Sequence, residues 1–159
     1  DELQDFIDIV GYFMSESEFQ TLMKENRGDR IMKLVDYFEK PDSDRKTKEN
    51  EFYNQIYTRL ALAEKQFSNR NLSGRKTDRG RVLIRFGRPT NIETYPANKN
   101  RYSYEIWHYD DSDDGFNFVF INNDAGSMFE QIHSNHPDEF QNYRWKDMVV
   151  RESTNLINF

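Results

Sequence analysis

An α+β fold, with a helical N-terminal half packed on a four-stranded antiparallel β-meander, is predicted by three features of the sequence. Apolar residues recur at helical spacing through Phe67, and alternate apolar positions take over from Val82 onward. A polar, glycine-containing stretch at residues 74–89, GRKTDRGRVLIRFGRP, separates the two regimes. Beyond it, turn residues such as DDSDDG and NNDAG interrupt aromatic-rich runs at hairpin spacing.

With 159 residues the chain can bury a core without disulfides or metal. Aromatic residues make up 15%, with 13 Phe and 9 Tyr, too many large rings for a disordered chain. Cysteine is absent, which excludes thiolate nucleophiles and Cys-ligated zinc. A net charge of −6 disfavours nucleic-acid binding and confines any anion site to a local basic patch. No apolar run reaches the roughly 18 residues of a membrane span.

In chain order, Phe6, Ile7 and Val10 repeat as one helix face that Gly11 ends. Ser15 and Glu18 form a capping box for a helix with Phe19, Leu22 and Met23 on its apolar side. Residues 26–28, Asn-Arg-Gly, end that helix, and Asp29 is the expected cap of the next, whose stripe includes Ile31, Leu34 and Val35. A polar connection at 41–47 precedes a long helix, with Thr47 as candidate cap and Phe52, Ile56, Leu60, Ala63 and Phe67 as its core stripe. Such stripes are read as buried faces rather than partner grooves. The first strand is expected at Arg81 to Phe86, from the alternation of Val82, Ile84 and Phe86. Strands at 102–109, 116–121 and 127–133 complete the meander. The expected organisation is a helical region at 1–71, with helices near 2–10, 16–25, 30–40 and 48–69, then motif turn and sheet at 72–136. A C-terminal helix or irregular tail at 137–159 completes one structural unit.

Four pieces, NEF at Asn50, Glu51 and Phe52, the stretch 74–89, YEIW at 104–107 and HSN at 133–135, resemble the bacterial GWxTD-domain family. The residues that carry the likeness are Gly74, Thr77, Asp78, Arg79, Gly80, Gly87, Pro89 and Trp107, with Arg75 where the family has its Trp. The resemblance implies an α+β fold and a setting in the periplasm or on the outer cell surface. It supplies no chemistry, because the family has no established activity.

Arg75, Lys76, Arg81, Arg85 and Arg88 make a basic run in an acidic protein, a candidate docking patch for an acidic protein or anionic glycan or lipid head group. The plainer reading is a solvated strand face, with Arg79 paired to a carboxylate such as Glu51. Thr77, Asp78, Arg79 and Gly80 have the chemistry of a tight turn. Asp78, His133 and Ser134 are the catalytic alternative, as acid, base and nucleophile, although no nucleophile-elbow motif surrounds the serine. Asp110, Ser112, Asp114 and Gly115 match the first half of a calcium loop, but the twelfth position is Ile121. His133, His136 and Asp138 are a further set of possible metal ligands with no fourth in reach. The expected function is a non-catalytic cell-envelope module that binds a protein partner or a neighbouring domain of its own polypeptide, with no cofactor and no nucleic acid. The alternatives are a hydrolase acting on an envelope polymer and a calcium-stabilised binding module.

Overall fold

The computed structural model describes residues 2–39, 51–110, 115–123 and 128–151. The chain divides into two units, Asp1–Leu62 and Ala63–Phe159. The expected connection at 41–47, the Thr47 cap, Asn50, Ser112 and Asp114 lie outside the described residues.

In the first unit, α1 (Glu2–Gly11), α2 (Glu16–Lys24) and α3 (Arg27–Glu39) follow one another, and α4 (Glu51–Phe67) begins there. The Ser15–Glu18 capping box forms as the sequence requires, each side chain satisfying the other residue's backbone N–H. The third helix is capped differently from expectation: Asn26 Oδ1 accepts from the Asp29 N–H at 3.1 Å, one turn earlier than an Asp29 cap would act. Arg30 ties the two helices, donating to the carbonyls of Met23 and Glu25 that end α2. Ile7, Val10, Leu22 and Leu34 are buried, and Phe13 meets Phe52 edge-on at 5.8 Å.

In the second unit a 3-10 turn at Gly74–Lys76 leads into α5 (Asp78–Phe86). Strands β1 (Asn91–Tyr95), β2 (Ser103–Tyr109), β3 (Phe116–Asn122) and β4 (Glu130–Ser134) follow, and then a short helix α6 (Trp145–Met148). The sheet is an antiparallel meander in the order β1-β2-β3-β4. One expected strand is corrected: residues 81–86 are helical, and the first strand is Asn91–Tyr95. The ends of this segment explain why. Thr77 Oγ1 caps α5 by accepting from the Gly80 N–H, and Gly87, at φ 83, closes it in a left-handed conformation that an L side chain resists. Alternation over so few residues was ambiguous, since Leu83 between Val82 and Ile84 is buried as well.

Both faces of the sheet are covered. Trp107 pairs with Phe118 and Tyr109 with Phe116, on the face where Phe86 of α5 packs 5.0 Å from Phe118 and Phe67 lies 5.9 Å from Trp107. On the other face Val119, Ile121 and Ile132 form a core with Val149, joined by Tyr104, Ile106 and Trp145. The segment from 140 to 151 therefore lies as a strap across that face. Its far end is fixed by the Tyr102 N–H donating to the Val149 carbonyl and the Arg151 N–H to that of Asn100.

Candidate functional site

The motif turn is built around a carboxylate that the sequence does not flag. Glu64 on α4 accepts from the Ser73 hydroxyl, from the Ser68 hydroxyl at 2.7 Å, and from the backbone N–H groups of Gly74 and Arg75 at 3.0 and 3.3 Å. Partial burial alone would raise its pKa, but these hydrogen bonds outweigh burial and hold it at about 2. Gly74 is required by space, because a Cβ there would sit 2.1 Å from the Ala63 carbonyl oxygen. Gly80 is required for the same reason, its Cβ meeting the Gly74 oxygen at 1.8 Å. Thr77 Oγ1 completes the knot by donating to that same Gly74 oxygen at 2.7 Å. Arg75, at the family's Trp position, lies with its Nε 3.9 Å from Glu64.

The basic run is drawn largely inward. Arg81 and Arg85, four residues apart on α5, share one helix face, and both reach Glu139 at 2.7 and 2.9 Å. Arg81 also donates to Gln131 Oε1 at 2.6 Å. The Glu139 side chain is 5% exposed. Burial would raise its pKa, but the bonds from Arg81 and Gln131 and the Arg85 charge lower it below the ordinary value. Arg79 pairs with a carboxylate, Glu105, at 3.2 Å, and its guanidinium lies 4.8 Å from the Phe67 ring centroid and 4.1 Å from that of Phe129. Glu105 also accepts from the Trp107 indole N–H at 2.9 Å, so Trp107 anchors the same knot. Lys76 and Arg88 are exposed.

Asp78, His133 and Ser134 do not converge. Asp78 Oδ2 accepts from the Gln131 N–H at 2.6 Å, which occupies a backbone donor of the edge strand β4. His133 faces the strap, its ring stacked 6.3 Å from Trp145 and edge-on 5.4 Å from Tyr143, with Nδ1 accepting from the Asn142 N–H at 3.0 Å. Burial lowers its pKa. Ser134, next along the strand, points to the opposite face, where its hydroxyl donates to the Asn117 carbonyl at 2.7 Å and accepts from the His136 N–H. His136 packs on Phe86 and Phe116, so it does not join His133. Among the described residues no group of three or more acids, His or Cys is placed to hold a metal ion.

Exposed apolar side chains mark two surfaces instead. On the first unit, Leu34 of the α3 stripe is buried as expected but Ile31 and Val35 are exposed, and Met32 beside them is exposed as well. Tyr53 and Tyr57 of α4, ring centroids 5.5 Å apart, line a shallow groove of about 550 Å³ with Asn54, Thr58 and Ala61. On the second unit, Phe140, Tyr143, Met148 and Val150 are exposed along the strap, with Tyr143 at 75%. Helical periodicity identifies a stripe but not whether a neighbour covers it, so these surfaces had no separate signal in the sequence.

No curated protein and no solved structure matches the chain. The sequence model of the GWxTD domain matches residues 1–150, which carry both the helices and the sheet with its knotted turn, and the chain belongs to that family.

Proposed function

We propose that the protein is a non-catalytic docking module of the bacterial cell envelope, holding a protein partner or a neighbouring domain of its own polypeptide against the helical surface of its first unit. The observation that carries this reading is the exposed Tyr53–Tyr57 groove on α4, with Tyr57 at 59% exposure. Paired tyrosines with a shallow apolar floor suit an inserted helix or loop, since each ring offers large contact area at little entropic cost and a hydroxyl for the rim. The family motif supports the reading indirectly, because its polar groups are committed to internal hydrogen bonds rather than presented to a substrate. The basic run contributes less than its charge implies, Arg81 and Arg85 being held on Glu139.

The test is site-specific photo-crosslinking in intact cells, with the probe at position 57 and, as control, at the exposed Asn71. The expected result is a discrete adduct from position 57, to one envelope protein or to a domain of the same polypeptide. The same purified pair should lose at least about tenfold in affinity with Tyr57→Ser. Equal adduct patterns from positions 57 and 71 would overturn the reading.

A further inference from the structure

The strap offers a second surface of different chemistry. Trp145 and Val149 point into the sheet core, so the residues between and beside them face outward. Tyr143, Met148 and Val150 are 75%, 46% and 57% exposed, and the Arg144 side chain is 88% exposed, with its Nε 3.1 Å from the likewise solvent-facing Asp147. Lys146 is exposed as well. Arg101 joins this side, since it bridges Val150, and its guanidinium lies 5.5 Å from the Tyr95 ring centroid. Residues 140–151, FQNYRWKDMVVR, hold three bases and one acid, Asp147, in a chain whose net charge is −6.

We propose that the outward side of the strap rests on an anionic lipid surface. The charge sign opposes that of the protein as a whole and complements lipid phosphates, and the bases are interleaved with a tyrosine and aliphatic side chains. That combination is suited to the headgroup boundary, where tyrosine is favoured and Lys and Arg reach phosphate. The exposure of Tyr143 and Val150 shows side chains that project rather than line a pocket, and a bilayer accepts projecting groups without a complementary surface. The stacking of the strap's Trp145 on His133 of β4 holds its outer residues in register with the sheet. Binding of this kind is reversible and salt-sensitive, because few bases take part.

Full-length protein is to be floated with vesicles of phosphatidylcholine, and with vesicles containing about one third phosphatidylglycerol. The expected result is flotation with the anionic vesicles only, reduced about tenfold by raising salt to about 0.5 M. The Arg144→Glu/Lys146→Glu variant should show a comparable loss, and Tyr143→Ser a smaller one; the double variant changes exposed side chains only, so its melting curve should match the parent, and Tyr143→Ser, which loses one edge contact with His133, should nearly match it. Flotation that is absent, indifferent to lipid charge, or unchanged in the double variant overturns the proposal. So does a photo-probe at position 143 that labels protein in preference to lipid. The crosslink from position 57 is independent of these outcomes.

Discussion

The motif turn and the strap both lie on the second unit, and they use polar side chains in opposite ways. In the turn, Glu64, Ser68, Ser73 and Thr77 face inward and find partners within hydrogen-bond reach. In the strap, Arg144, Lys146 and Tyr143 face outward, over a buried Val149 and a half-buried Trp145. The motif's inward polar groups therefore mark where the chain should be least tolerant, and the strap's exposed bases and rings lie outside it. Substitutions should separate the two regions by the size of their effect on stability.

The largest effect is expected for Gly80→Ala and Gly74→Ala, where the new methyl would collide with backbone that cannot step aside. Each should cost about 4 kcal/mol or more in chemical denaturation, enough to abolish a cooperative transition. Glu139→Gln comes next, at about 3 kcal/mol, because it leaves Arg81 and Arg85 around a neutral group in a half-buried site. Glu64→Gln, read by the same denaturation curves, should cost about 1 to 2 kcal/mol, since the amide keeps one acceptor but loses the charge-assisted bonds. Arg144→Glu and Tyr143→Ser should change stability by less than about 0.5 kcal/mol. A strap variant as damaging as a turn variant would break the comparison.

Acid should sharpen it. His133 has a lowered folded pKa, so its contribution is present above the ordinary value of 6.5 and is lost as pH falls from there through the folded value. Its protonation also removes the acceptor that Asn142 uses, which loosens the strap before the turn is touched. Glu64 and Glu139 are likewise lowered, so their stabilisation is present above the ordinary 4.5 and fades below it, in the case of Glu64 down to about 2. Amide hydrogen exchange should therefore show protection lost first at 142–150 and only at lower pH at 73–80. A His133→Leu variant lacks that acceptor at every pH, so its protection at 142–150 should be lower already at neutral pH and should not change further in mild acid.

Much of the fold was legible because it depends on local rules. The Ser15–Glu18 box and the aromatic strands of the meander act over a few residues and form, whereas the tight turn expected at Thr77 to Gly80 is instead the capped first turn of α5, with Thr77 accepting from the Gly80 N–H. The segment 81–86 was misjudged as a strand because apolar alternation competed with two end signals, the Thr77 cap and Gly87. The spacing of Arg81 and Arg85 was a further helical clue. The partners of the arginines were not legible. Glu139 lies 58 residues beyond Arg81 and Glu105 lies 26 beyond Arg79, distances at which only the folded sheet decides who meets whom. The excess of bases over acids at 74–89 signalled that carboxylates must come from elsewhere, without saying which.

The 58-residue separation between Arg81 and Glu139 has a consequence for the order in which the protein is made. During synthesis α5 emerges with two arginines on one face, well before the residue that neutralises them leaves the ribosome. The ion pairs on that face of α5 are complete only after β4 and the residues that follow it have been translated. Until then the nascent chain carries Arg81 and Arg85 without the carboxylate they share. A chain stopped just before Glu139 would hold every strand of the sheet and lack only that carboxylate and the strap beyond it.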